Sequence, residues 1–138
     1  MNILIDTNVL IDYLMRRMPY SDDAEKIIIL CKNMQIRGCM AAHSLINILY
    51  ILRKEMTLDE QKKFLLYLSQ FIEIVGIDRR KIVNVLTDNL FTDVEDCLQA
   101  ECAKDFSADF IVTRNVNDFQ NSTIPAIRPD EFLRRVNL

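Results

Sequence analysis

Three groups of side chains in this sequence have the types and spacing to hold a hard divalent cation. Asp6 directly follows Asn2-Ile3-Leu4-Ile5, an apolar run suited to a buried strand. Thr7 and Asn8 beside it can orient that carboxylate, or Asp6 is simply the cap of the helix that starts there. Asp93 and Asp96 stand three apart on an expected helix, so both project from one face. Such a pair repels unless water or a cation neutralises it. The alternative makes Asp93 the helix cap, with Glu95 or Asp96 as first-turn acids favoured by the macrodipole. Thr113, Asn115 and Asp118 follow a late apolar run. They can hold a metal, water or phosphate, or form a polar loop in which Asp118 caps a turn.

The elements that must position these residues can be read from the same chain. Short apolar runs at Asn2–Ile5, Gly38–Ala42, Phe71–Val75 and Phe110–Thr113 are strand candidates, with a weak one near Ala126-Ile127. Helical patterns cover Val9 to Met15 and, capped by Ser21 or Asp22, continue to about Asn33. Further helices run from Ser44 to about Lys54, from a Thr57 or Asp59 cap to about Gln70, and from an Asp78 cap to about Leu86. The last two span about Asp93 to Lys104 and Pro129 to about Val136, with proline at a first turn. Strands alternating with helices predict a parallel sheet covered on both faces. Ligands of such sheets gather at the carboxyl ends of the strands, which is where Asp6 and Thr113 fall.

Composition narrows the classes. The chain has 138 residues, half of them hydrophobic and 27% charged, which suits one globular domain over residues 1–138. No apolar run is long enough for a membrane span, and Asp6 and Asp12 interrupt what would be a leader, so the expected location is cytoplasmic. With only Gly38 and Gly76, a glycine-rich phosphate cradle is excluded. Cys31, Cys39, Cys97 and Cys102 lack a CxxC pair and read as buried reduced thiols. The lone histidine, His43, reads as a packing or hydrogen-bonding residue. A net charge of −3 argues against nucleic-acid binding through the overall field. Yet 11 of the 17 basic residues are clustered, at Arg16-Arg17, Arg53-Lys54, Lys62-Lys63, Arg79-Arg80-Lys81 and Arg134-Arg135. Charge alone leaves the question open.

Three segments taken together resemble the PIN domain: Ile3-Leu4-Ile5-Asp6-Thr7-Asn8-Val9-Leu10, Asp93-Val94-Glu95-Asp96-Cys97-Leu98-Gln99-Ala100, and Asp109 through Asn115 with Asp118-Phe119. Within that family the similarity is to single-domain bacterial proteins related to VapC-type toxins, and it covers essentially the whole chain. The resemblance implies a three-layer α/β/α sandwich around a central, mainly parallel sheet of four to five strands. It also implies acidic residues binding Mg²⁺ or Mn²⁺. Asp6 matches the family's first acid and Asp96 its third. The second is replaced by Asn47 and the last by Asn115. Asn47 also sits near a capping-box position, given a helix start at Ser44.

The expected activity is hydrolysis of RNA phosphodiester bonds leaving a 5′-phosphate. Asp6 and Asp96 would be direct ligands, with Asp93 holding one of the ion's waters. Asn47, Asn115 and Asp118 would complete or orient the shell, and Thr113 and Arg114 would contact phosphate. Expected partners are the RNA substrate, a small antitoxin protein that inserts a segment over the acidic site, and a second copy of the chain. Two rivals stand beside this reading. Asn47 and Asn115 suit a catalytically degenerate domain that binds RNA or protein. Ile5-Asp6-Thr7-Asn8 has a superficial likeness to a haloacid-dehalogenase-type phosphatase, but that chemistry wants an aspartate where Asn8 stands.

Overall fold

The apolar run before Asp6 is the central strand of the molecule. In the computed structural model, which describes residues 1–137, β1 (Asn2–Ile5) lies between β2 (Arg37–Ala41) and β4 (Phe110–Val112). Strand β3 (Ile72–Val75) extends the sheet beyond β2, and β5 (Ala126–Ile127) beyond β4. Every pairing is parallel, in the order β3-β2-β1-β4-β5. Ile3, Leu4 and Ile5 are fully buried because helices cover both faces, so the strand reads as a continuous apolar run rather than an alternation.

The described residues contain seven α-helices: α1 (Thr7–Leu14), α2 (Ser21–Lys32), α3 (Ala42–Ile51), α4 (Leu58–Leu68), α5 (Arg79–Thr87), α6 (Val94–Asp105) and α7 (Pro129–Val136). One core gathers Ile3, Ile5, Met40, Ile72, Val112 and Ile127 against apolar residues of α1, α2, α3, α4 and α7. The opposite core gathers Leu4, Cys39, Ala41, Val75 and Ile111 against Ala100, Cys102 and Ala103 of α6. The result is the three-layer α/β/α sandwich, with the period-two alternation of strand side chains dividing the two cores. Phe132 of α7 is fully buried, with its ring 6.3 Å from that of Phe110, which pins the last helix to β4. All four cysteines are buried and free.

Local chemistry explains most helix starts. Asp6 caps α1, Thr57 and Glu60 form a reciprocal capping box on α4, Asp78 caps α5 and Asp93 caps α6. Pro129 opens α7. Some expected boundaries move. Helix α1 begins at Thr7 rather than Val9, because Asp6 caps it directly. Neither Ser21 nor Asp22 caps α2; the cap position is Tyr20, without a side-chain bond. Helix α3 begins at Ala42, not Ser44, so Asn47 lies inside the helix and no capping box exists there.

The sheet order creates a switch point. From β1 the chain builds outward through β2 and β3, then returns to the other side of β1 with β4 and β5. A crevice must open where β1 and β4 diverge at their carboxyl ends. The Asp6 backbone N–H donates to the Val112 carbonyl at 3.0 Å, fixing the two chain exits side by side.

Gly38 is required by a close approach beneath this sheet. A Cβ there would lie 2.6 Å from Cys31 Sγ, and both residues are buried. Gly38→Ala is expected to lose about 1–3 kcal/mol in urea unfolding. Adding Cys31→Ala should recover most of that loss; a full-sized deficit persisting in the double variant would refute the steric account.

Candidate active site

Asp6 reaches the carboxyl end of the sheet as the last turn of β1 becomes α1. It is only 7% exposed, and three neutral donors hold its carboxylate. The Thr7 backbone N–H donates to Oδ1 at 2.8 Å, Gln99 Nε2 to Oδ1 at 3.3 Å and the Thr113 hydroxyl to Oδ2 at 2.8 Å. Burial raises its pKa to about 6, the Thr113 and Thr7 donors pull it down, and the nearby charges of Glu95 and Asp118 push it further up. Among the described residues no cationic side chain pairs with it.

Asp93 and Asp96 come from the start of α6. Asp93 Oδ1 accepts the Asp96 backbone N–H at 3.1 Å, so Asp93 is the cap and lies outside the helix proper. The capping alternative is therefore realised, and Asp93 also lines the cleft. Asp96 is partly buried. Its pKa rises to about 7, first through burial and then through the charges of Asp93, Asp118, Asp6 and Glu95. Glu95, beside them, is also raised by burial and by Asp93, while the Asn47 amide pulls it down.

These groups meet in one open cleft of about 350 Å³, lined by Asp6, Asn47, Asp93, Asp96, Asn115 and Asp118 and also by Glu95, Asn8, Tyr50 and Ile51. Two other expected residues are not in contact with it. Thr113 is fully buried: its hydroxyl donates to Asp6 and accepts the Asn115 backbone N–H at 3.0 Å. It cannot meet a phosphate, and it fixes Asp6 instead. Arg114 turns away to Asp12, with Nε 2.7 Å from Oδ2 and an Nη 3.2 Å from Oδ1, and its guanidinium lies 4.1 Å above the Tyr20 ring. Asp12 is 1% exposed, so this pairing satisfies a buried charge, and the expected phosphate contact by Arg114 gives way to it. His43 has no partner on either ring nitrogen, and burial lowers its pKa, so it is a neutral packing group.

Behind the carboxylates lies a polar cluster that the sequence pattern did not single out. Gln99 of α6 is fully buried and its Nε2 is 3.1 Å from both Thr7 Oγ1 and Ser44 Oγ, as well as 3.3 Å from Asp6. Thr7 Oγ1 donates to Ser44 Oγ at 2.8 Å. Gln99 Oε1 has no partner among the described residues, which ordinarily costs about 1–3 kcal/mol. The available signal was a lone amide in the apolar run Cys97-Leu98-Gln99-Ala100, one turn beyond Asp96. Glu95 was visible only as a first-turn acid.

The donor set suits a hard cation: every polar side chain facing the cleft offers oxygen, and burial first, then the neighbouring acids, raise the pKa of Asp6 and Asp96. Among the described residues, no three His, Cys, Asp or Glu side chains are close enough to enclose an ion directly. The arrangement therefore fits an ion that keeps several of its waters, as Mg²⁺ does, rather than an all-protein cage.

Residues 2–117 match the family model described as the PIN domain. No curated protein matches this sequence. Among solved structures, the fold is similar to VapBC2 from Rickettsia felis bound to a promoter DNA fragment. That match has a TM-score of 0.64 at 18% identity and covers 93% of this chain and 98% of the other. VapBC-1 from nontypeable Haemophilus influenzae gives 0.66 at 18% identity, covering 94% and 99%. FitAB bound to the IR36 DNA fragment gives 0.62 at 15% identity, covering 92% and 94%. At these identities the likeness is one of fold.

Proposed function

This chain belongs to the PIN domain family, and from that premise we propose that it is a Mg²⁺- or Mn²⁺-dependent endoribonuclease, the toxin of a toxin–antitoxin pair. The observation that carries the reading is uncompensated acid at the sheet's switch point. Asp6 and Asp96, on separate elements, have pKa values raised to about 6 and about 7, and among the described residues neither has an ion-pair partner. A divalent cation supplies that charge, and when bound it would polarise the scissile phosphate and lower the pKa of water for in-line attack.

The protein's share is placement. Asp6 and Asp96 would hold the ion. Asp93, Glu95 and Asp118 line the same cleft and would hold its waters, and the Asn47 and Asn115 amides would offer neutral oxygens. Glu95 brings a carboxylate to the side of the cleft where Asn47 has none. Thr113 orients Asp6 rather than binding RNA. The similarity of fold to the VapBC and FitAB assemblies supports a protein partner, and its insertion over the acidic cleft is part of this proposal. Pairing with a second copy of the chain is part of the same proposal. Among the described residues no helix is long and apolar enough to cross a membrane.

Asp96→Asn is the direct test. RNA cleavage by the wild type should require Mg²⁺ or Mn²⁺, and the variant should lose at least about 100-fold in rate, the scale of several kcal/mol of charge stabilisation. Equal rates would sink the assignment. The second reading, a degenerate domain that binds RNA or protein, is favoured by Asn47, Asn115 and the lack of a closed carboxylate cage. Calorimetry separates the two: absence of Mn²⁺ binding at millimolar concentration supports the degenerate domain.

A further inference from the structure

We infer that Gln99 is a positioning residue for Asp6, retained for the site at the expense of the fold. The inference rests on the metal-dependent reading above. A fully buried amide on a helix packed against the sheet would ordinarily be replaced by an aliphatic side chain, or would satisfy both ends. Gln99 does neither. Its Nε2 is aimed at three oxygens, of Asp6, Thr7 and Ser44, while Oε1 is left without a partner.

The amide orientation follows from electrostatics. Turning it over would place Oε1 at 3.3 Å from the Asp6 carboxylate, oxygen against oxygen, and remove the only side chain of α6 that bonds Asp6. The observed orientation accepts an unpartnered oxygen in exchange for an N–H on the carboxylate. With the Thr7 backbone N–H on the same oxygen and Thr113 on the other, Asp6 is gripped from α1, from the residue that follows β4 and from α6 together. Its rotamer is then set before any cation arrives. Supporting hydrogen bonds of this kind orient a ligand and tune its basicity. Gln99 itself need not touch ion or substrate.

A purely structural role and a positioning role make opposite predictions for Gln99→Leu. Leucine removes the unpartnered oxygen and fills the same space, so the melting temperature in chelator should match or exceed the wild type. Mn²⁺ affinity by calorimetry should nevertheless fall about 10–100-fold. In RNA cleavage kcat should fall while KM for RNA is unchanged. Gln99→Met, more adaptable in shape, should behave alike. Unchanged Mn²⁺ affinity and kcat overturn the inference, as does a large loss of melting temperature in both variants, which would make Gln99 structural. If wild type binds no Mn²⁺, the metal-dependent reading fails on its own. The inference is then decided by the crystal structure of Gln99→Leu: an Asp6 carboxylate turned from its wild-type rotamer supports it, and an unmoved one overturns it.

Discussion

Asp6→Asn is expected to abolish divalent-dependent RNA cleavage, by about 10²–10³-fold or more, while making the metal-free protein more stable at neutral pH. Both effects have one cause. Asp6 is a buried carboxylate without a cation, and its pKa in the folded chain rises to about 6 from an ordinary value of 3.8. Below pH 4 it is protonated in folded and unfolded chains alike, and nothing is lost. Between about pH 4 and pH 6 the folded chain holds the proton more tightly, so stability falls as pH rises through that window. Above pH 6 the folded state carries the full cost of the buried charge, at most roughly 3 kcal/mol for a shift of this size. Asparagine has the shape to keep the Thr7 and Gln99 donors on its carbonyl oxygen and turn its amide to Thr113. In EDTA the variant should therefore unfold at higher urea than wild type at pH 8, and at nearly equal urea at pH 4. Saturating Mn²⁺ should reverse the order at pH 8, because only the wild type gains from binding. A variant as active as wild type would remove Asp6 from the site, and a pH-independent stability difference would refute the buried-charge account.

Arg114→Ala is expected to have the largest effect on the fold. The change strips from Asp12, whose side chain is 1% exposed, its one ion-pair partner among the described residues. Breaking a buried pair from one side costs about 3–5 kcal/mol, and a value near 3 is expected because the Arg114 side chain keeps 25% exposure. Burial already raises the Asp12 pKa against the opposing pull of Arg114, so the variant's Asp12 must rise further. Its deficit should then be largest at pH 8 and shrink as the pH falls and the Asp12 carboxylate takes up a proton. Replacing both partners, Asp12→Leu with Arg114→Met, should restore most of the stability. A deficit flat with pH, or equal in the double variant, would show that Arg114 acts through packing on Tyr20 instead. Because Thr113 precedes Arg114 and holds Asp6, loosening this segment should also slow cleavage.

Much of the fold was legible because it is written locally. Strands β1, β3 and β4 are runs made mostly of branched or bulky apolar residues, and capping side chains at Thr57, Asp78 and Asp93 announce three helix starts. Boundaries drifted where the cue was ambiguous. Ser44 looked like a cap because serine favours that position, yet its hydroxyl is drawn inward by Thr7 and Gln99, and α3 starts two residues earlier. Asp6, Asp96, Asn47, Asn115 and Asp118 could be marked as candidates from their places after strands and in early helical turns, and they do share a cleft. Glu95 was passed over because a first-turn glutamate is ordinary on any helix.

The residues misjudged are those whose roles depend on partners far along the chain. Thr113 and Arg114 follow a strand and carry polar groups, which suits a phosphate contact as well as it suits anything else. Their actual partners, Asp6 and Asp12, are 107 and 102 residues away, as Gln99 is 93 from Asp6. The sequence by itself determined that Asp6 ends a buried strand, that α6 opens with acids, and that parallel strands alternate with helices, since propensity, capping and periodicity act within a few residues. Only the tertiary structure decided that the strand order switches sides between β1 and β4, and that burial raises the pKa of the acids gathered there. It also turned Thr113 and Gln99 toward Asp6 and Arg114 away from the cleft. Hydrogen bonding and desolvation are set by which groups meet in space, and that is settled when the layers pack.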